Sequence, residues 1–220
     1  TVDMLSSKQI GDRALVELVI EPPIGEDAAY TFREWRFYRY SESGWHRTAL
    51  IPAFWGAKET IDTTHFHLKY YERDASAVIS AASRADLLYQ AVRQSMGLTS
   101  APVRLTFTFV LSNSEQDRSW LASHGTTIMI PSPMLITKPI ELSDVDLLYQ
   151  LMANFLIAKA TREAATEYAI SEPWAPVPSG LMLWQLWKTD GPLSDNKNEL
   201  LTWAYAVSYT HLTLPTNGCV

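Results

Sequence analysis

The chain has 220 residues, with 18 Lys and Arg against 24 Asp and Glu, and a formal net charge of −6. This acidic balance, without any cluster of basic residues, argues against a nucleic-acid partner, because binding to phosphates needs concentrated positive charge. The hydrophobic share of 47% is typical of a globular protein with one or two domains. No apolar run approaches the roughly 18–20 residues of a transmembrane helix, so we expect no membrane segment in this fragment.

Residues 13–21 alternate partly between apolar and polar side chains and are rich in β-branched types, and residues 30–40 are rich in aromatic types, which is typical of strands. We predict strands over 13–21, 30–40 and 45–49, with a turn over 41–44 between the last two. This hairpin, which ends in Gly-Trp-His-Arg-Thr-Ala, resembles the last strands of the nuclear-transport-factor-2-like (cystatin-like) fold. The resemblance implies a curved sheet that wraps around helices lying before Thr1.

Two boundaries follow from this pattern. Residues 1–50 are predicted to be a partial cystatin-like domain, and residues 51–59, with Pro52 and Gly56, are predicted to be a linker. Phe54 and Trp55 are the residues that would anchor the linker against a neighbouring domain.

Strands and helices are predicted to alternate beyond the linker. The predictions are a strand over 60–71, a helix over 74–96, a strand over 102–111, an edge strand over 126–130, a helix from Ser143, a helix over 176–191 and a helix from 200. Gly97 is the expected residue after the first helix, and Ser143 with Asp146 forms a capping-box-like start for the second. The first helix has a buried stripe at three- and four-residue spacing: Ala81, Ala85, Leu88, Val92 and Met96.

This order of elements opens with His-Phe-x-x-x-Tyr at 65–70 and closes with Gly-Leu-x-Leu-Trp at 180–184. It resembles the peptidase-MA-like (gluzincin) family over about residues 60–205. In that family the helix that begins here at Ser143 carries His-Glu-x-x-His, and the stretch at 178–184 carries a Glu as third zinc ligand. The resemblance implies a domain over 60–206, truncated at its end, in an extracytoplasmic or membrane-anchored setting.

The zinc-binding residues of the family are missing from the matching positions. These positions hold Tyr149 and Ala153 in place of the two histidines, Gln150 in place of the general base, and Ser179 in place of the third ligand. A zinc hydrolase needs three protein ligands and an open position for water. We therefore predict no catalytic residue, no metal and no cofactor, and we interpret the four vacated positions as a candidate binding cleft.

Other polar residues allow alternative sites. His65 and His67, two apart on a predicted strand, would share a face and could form a metal pair, although packing or hydrogen bonding is the simpler interpretation. Glu34 and Glu42 near His46 could form an acid–base pair in a cystatin-like pocket, or could belong to a solvated face.

Serine and tryptophan residues also have two interpretations. Ser132, between two prolines, is interpreted as a turn residue, and Ser179 lacks the surroundings of a nucleophile elbow. Four late tryptophans are expected to pack in a core, or else to line a groove for peptide or sugar: Trp174, Trp184, Trp187 and Trp203.

The last residues do not continue the preceding pattern. Residues 207–216 match, codon by codon, the translation of a tagmentation sequencing adapter, so we interpret 207–220 as a non-native tail. The single cysteine, Cys219, belongs to this tail, and the remainder therefore offers neither disulfide nor thiolate chemistry.

The sequence as a whole predicts an α+β protein: a short antiparallel cystatin-like sheet, then a gluzincin-like α/β domain with a mixed sheet and C-terminal helices. The predicted function is non-catalytic binding of an unknown peptide, protein or small ligand, within a larger bacterial surface or sensory protein. Two alternatives stay open: a metallopeptidase-family hydrolase with an atypical site, and a cystatin-like enzyme acting on a small molecule.

Overall fold

The structure is a computed structural model, and it describes residues 2–21, 31–98, 103–112 and 126–167. These residues form one antiparallel sheet, one mixed sheet and two long helices, which confirms the α+β class. The chain divides into two compact units, 1–87 with 100–152 and 88–99 with 153–220. No helix within the described ranges combines the length and apolarity needed to cross a membrane.

The elements are numbered in chain order. The strands are β1 (Val2–Ile10), β2 (Arg13–Ile20), β3 (Phe32–Ser41), β4 (Gly44–Thr48), β5 (Lys58–Asp62), β6 (Phe66–Tyr71), β7 (Leu105–Val110), β8 (Thr127–Pro131) and β9 (Lys138–Pro139), and the long helices are α1 (Ala75–Ser95) and α2 (Asp144–Glu167).

The first sheet is antiparallel and has the order β1-β2-β3-β4, with β9 pairing to β3 beside Phe32 and Arg33. The strands predicted over 13–21, 30–40 and 45–49 are confirmed as β2, β3 and β4. Strand β1 was not predicted, because all nine of its residues are exposed and no apolar alternation marks it. Backbone pairing to β2 holds it, and Gly11 turns the chain between them with a positive φ of 60°.

The second sheet has the order β5-β6-β7-β8; β5 is antiparallel to β6, whereas β6, β7 and β8 run parallel. Helix α1 is the crossover that a parallel β6–β7 pair requires. The single strand predicted over 60–71 is wrong, because the chain turns within it to form two strands. The Asp86 carboxylate accepts hydrogen bonds from the backbone N–H groups of Thr64 and His65, both at 3.0 Å, and so stabilises the turn.

Both predicted helix ends are confirmed. After α1, Gly97 has a φ of 69°, and the N–H of Leu98 donates to the Arg93 carbonyl at 3.0 Å, which is the pattern of a glycine-terminated helix. At the start of α2, the N–H of Asp146 donates to Ser143 Oγ at 3.1 Å. The predicted stripe of α1 is buried throughout.

A hydrophobic core lies on one face of the first sheet. Leu15 and Phe37 of that sheet pack with Phe54 and Trp55 of the predicted linker and with Met134, which follows β8. Phe54 and Trp55 are 3% and 0% exposed, as expected for anchoring residues. The predicted domain boundaries themselves stay predictions.

The second unit has its own partly buried ion pair. Arg93 on α1 is buried and forms an ion pair with Glu163 on α2, which Lys159 also contacts at 3.1 Å. The Arg93 guanidinium lies 5.4 Å from the centre of the Tyr89 ring. Burial raises the pKa of Tyr89, and the Glu163 carboxylate raises it further.

Candidate functional site

The structure describes three of the four predicted cleft positions. Tyr149 and Gln150 lie half-buried on α2, and Ala153 is buried at 1% exposure. Ser179 lies outside the described residues, as do the helices predicted over 176–191 and from 200, the four late tryptophans and the 207–220 tail.

A cation covers the ring of Tyr149, the first of the predicted cleft positions. The Arg84 guanidinium lies 4.1 Å from the centre of the Tyr149 ring, within cation–π range. The same guanidinium donates a hydrogen bond to Asp146 Oδ1 at 2.7 Å. The hydrogen bonds from Arg84 and Ser143 lower the pKa of Asp146, so its carboxylate stays ionised beside the arginine.

Across the described ranges, no group of three His, Cys, Asp or Glu side chains is arranged to hold a metal ion. His65 lies in the turn before β6 and His67 lies within that strand, so the predicted strand pair is not formed as expected. His67 Nδ1 contacts Asp62 Oδ1 at 2.6 Å.

Of the two glutamates predicted to act with His46, Glu34 is not brought together with it. Strand alternation and register put Glu34 on one face of the first sheet and His46 on the other. Glu34 accepts two hydrogen bonds from Arg36, at 2.9 and 3.0 Å, and His46 Nε2 contacts Ser43 Oγ at 2.8 Å.

A buried polar cluster lies where β6 and β8 end. Trp55 Nε1 donates to Ser132 Oγ at 2.8 Å, and that hydroxyl donates to Asp74 Oδ1 at 3.0 Å. All three residues are at most 2% exposed, and the second carboxylate oxygen of Asp74 has no hydrogen-bond partner within the described ranges. Burial raises the pKa of Asp74 to about 6, although Ser132 and the nearby cations oppose the shift.

Lys138 of β9 adds a buried ammonium group to this region. It is 3% exposed and forms an ion pair with Asp144. Burial lowers the pKa of Lys138 to about 8, and the positive charge of Arg33 acts in the same direction.

The polar cluster is suited to a structural role. Ser132 is 0% exposed, so its hydroxyl cannot meet a substrate, whereas its two hydrogen bonds join the linker residue Trp55 to the chain after β6. Its location in a Pro-Ser-Pro turn agrees with the sequence interpretation of Ser132. Asp74 was missed, because an aspartate before a helix looks like an ordinary surface residue in sequence.

An open cleft of about 250 Å³ lies at β5, β6 and β7. Strand alternation and register assign six of its lining side chains to the exposed face of the second sheet: Lys58, Thr60, Lys69, Tyr71, Thr108 and Val110. The opposite face of these strands is buried, with Leu68, Tyr70 and Phe107 at 5% exposure or less. We call this feature the second-sheet cleft.

An exposed aromatic face lies on the first sheet, opposite the core. Tyr40 and Trp45 pair across β3 and β4 with ring centres 5.3 Å apart, and they are 54% and 43% exposed. Met4 of β1 is 66% exposed. We call this surface, with Arg36 and Glu34, the aromatic face.

No family model, no curated protein and no solved structure matches this chain. The gluzincin-like and cystatin-like assignments therefore rest on the sequence motifs alone. The contacts around Tyr149, the second-sheet cleft and the aromatic face are the structural basis for a functional proposal.

Proposed function

We propose that this chain is a non-catalytic ligand- or protein-binding module built on a zinc-metallopeptidase-like domain, as part of a larger bacterial surface or sensory protein. The observation that carries the proposal is the contact between Arg84 and Tyr149. Where a metallopeptidase of this family would hold Zn²⁺ with an imidazole, this chain has an aromatic ring covered by a guanidinium group.

Electrostatics explain why this arrangement disfavours a metal. Zn²⁺ binds electron-pair donors and is repelled by a nearby cation, and the Arg84 guanidinium lies 4.1 Å from the centre of the ring that stands where the first ligand is expected. The ion pair with Asp146, at 2.7 Å, keeps Arg84 in place. Gln150 cannot accept a proton from water as a glutamate would, and Ala153 has no donor atom.

Metal retention and hydrolysis test this proposal together. The purified full chain is incubated with equimolar Zn²⁺, desalted and analysed for metal, and then assayed with a fluorescent casein substrate. We expect little retained zinc and no hydrolysis. A matched variant with Tyr149→His, Gln150→Glu, Ala153→His, Ser179→Glu and Arg84→Ala is the positive control for metal, because it supplies the three protein ligands of the family and removes the cation. Stoichiometric zinc in the wild type, with hydrolysis that a chelator abolishes, would overturn the proposal.

The protein-binding form of the proposal is supported by the aromatic face. Tyr, Trp, Met and Arg are the residue types enriched at the centres of protein interfaces. The simplest partner is a second copy of the chain, which sedimentation equilibrium at rising concentration tests. Self-association that Trp45→Ala weakens is expected for this form, whereas a monomer at every concentration rules out self-binding through this face.

The two alternative functions have less support. An atypical hydrolase would need a general base near Tyr149, and the neighbouring Asp146 is already bonded to Arg84 and Ser143. A cystatin-like enzyme would need its acid and base on one face, whereas Glu34 and His46 lie on opposite faces of the first sheet.

A further inference from the structure

We propose that the second-sheet cleft binds a small organic anion with a flat apolar body, of the aromatic carboxylate class. This inference rests on the proposed function, in which the chain binds its ligand without transforming it. It adds a site that the sequence motifs do not mark, because the lining residues come from three strands.

The first reason to expect an anionic ligand is the positive charge on one face of the second-sheet cleft. Register pairs Lys58 with Tyr71 and Thr60 with Lys69, so the two lysines are diagonal neighbours on one sheet face. Among the described residues, neither lysine forms an ion pair with a carboxylate. Two like charges at this spacing repel each other, and an anion between them would relieve the repulsion.

The nearby carboxylates have other partners. Asp62 contacts His67 at 2.6 Å and Arg104 at 3.5 Å. Glu59 also lines the cleft, but strand alternation directs its side chain to the opposite face, where its carboxylate helps to raise the pKa of Tyr70. Glu72 Oε2 accepts the N–H of Ala57 at 3.4 Å. The cleft is therefore locally positive in a chain whose net charge is −6.

The shape of the cleft selects the body of the ligand. Tyr71 and Val110 provide a ring and a branched aliphatic surface on the same face, and Thr60 and Thr108 add hydroxyl groups beside Lys69. The Lys58 ammonium lies 5.6 Å from the centre of the Tyr71 ring, so charge and aromatic surface lie together. A volume of about 250 Å³ is smaller than a typical drug-sized pocket, which fits a ligand with a single ring.

Benzoate and its uncharged analogue benzamide are the probes for this site. Binding to the full chain is measured by ligand-observed NMR titration, with a double variant Lys58→Met/Lys69→Met and a matched control Lys8→Met on the exposed strand β1. Charge-assisted hydrogen bonds are worth enough for a tenfold effect. We expect saturable benzoate binding, with affinity at least about tenfold weaker for benzamide and for the double variant. Lys8→Met should bind benzoate like the wild type, and added salt should weaken binding.

Several results would overturn this inference. They are the absence of saturable benzoate binding, equal affinity for benzoate and benzamide, or unchanged benzoate affinity in a double variant whose circular dichroism matches the wild type. Zinc retention and casein hydrolysis report on the proposed function separately, so the failure of this inference can be distinguished from the failure of the proposed function.

Discussion

Asp74 allows a quantitative test of the buried polar cluster. The free carboxyl group has a pKa of 3.8, and burial in the folded chain raises it to about 6. The folded state binds the Asp74 proton more tightly than the unfolded state does, so protonation stabilises the fold. This stabilisation is fully present below pH 3.8. It is lost as the pH rises through about 6. At about 1.36 kcal/mol per pH unit, the difference corresponds to about 3 kcal/mol of unfolding free energy.

The substitution Asp74→Asn isolates this effect. An amide keeps an acceptor for the Ser132 hydroxyl but cannot ionise. We expect the unfolding free energy of the variant, measured relative to wild type by urea denaturation, to increase by about 2 kcal/mol between pH 4 and pH 7, because part of the full difference is already lost at pH 4. The attraction of Arg73 and Lys138 for the carboxylate is already included in the pKa of about 6.

The matched control is Asp12→Asn. Asp12 is exposed and bonded to Arg39, and that hydrogen bond lowers its pKa, so its removal should not stabilise the chain at neutral pH. A stability difference between Asp74→Asn and wild type that stays constant from pH 4 to 7 would refute the assignment of a raised pKa to Asp74.

Three further substitutions test other contacts. The pKa of Lys138 falls from 10.5 to about 8 on folding, so the folded state holds this proton less tightly than the unfolded state. Wild type should therefore gain stability relative to Lys138→Met between about pH 8 and pH 10.5, measured by urea denaturation. A stability difference that does not change over this range would contradict the lowered pKa. Trp55→Phe removes the hydrogen-bond donor to buried Ser132 and should lower the unfolding free energy by about 1–3 kcal/mol. Trp45→Phe on the exposed aromatic face is the control and should leave the unfolding free energy nearly unchanged. Equal thermal-unfolding midpoints for the two variants would argue against the Trp55 hydrogen bond. Ser143→Ala removes the side-chain cap of α2 and should lower the unfolding free energy by about 0.5–2 kcal/mol. Ser143→Asn keeps a capping side chain and should retain most of that stability. Equal losses in the two variants would rule out capping by the side chain.

Local signals in the sequence predicted the local structure well. The Ser143 cap and the Gly97 terminus were found because their chemistry depends on neighbours within a few residues. Strand β2 was found because its apolar residues alternate. The turn within 60–71 was missed, because the stabilising Asp86 carboxylate lies on α1, about twenty residues later in the chain.

The candidate sites were less predictable, because their residues come from distant parts of the chain. The link between Asp74 and Ser132 joins residues 58 positions apart, and no pattern in either segment indicates the other. The second-sheet cleft combines Lys58, Lys69 and Thr108, which only strand register brings together. The interpretation of Tyr149 and Gln150 as vacated positions depends on motif order, and it stays a prediction.

The pairing of β9 with β3 has a consequence for synthesis. Residues 138 and 139 complete a sheet whose other strands end at Thr48, and Met134 covers the core formed by Leu15 and Phe37. At ribosomal speeds of about 5–20 residues per second, the early strands wait roughly 5–20 s for these residues. During this interval their apolar face lacks the cover that Met134 provides, so a nascent chain that stalls after the first hairpin should be a target for chaperones.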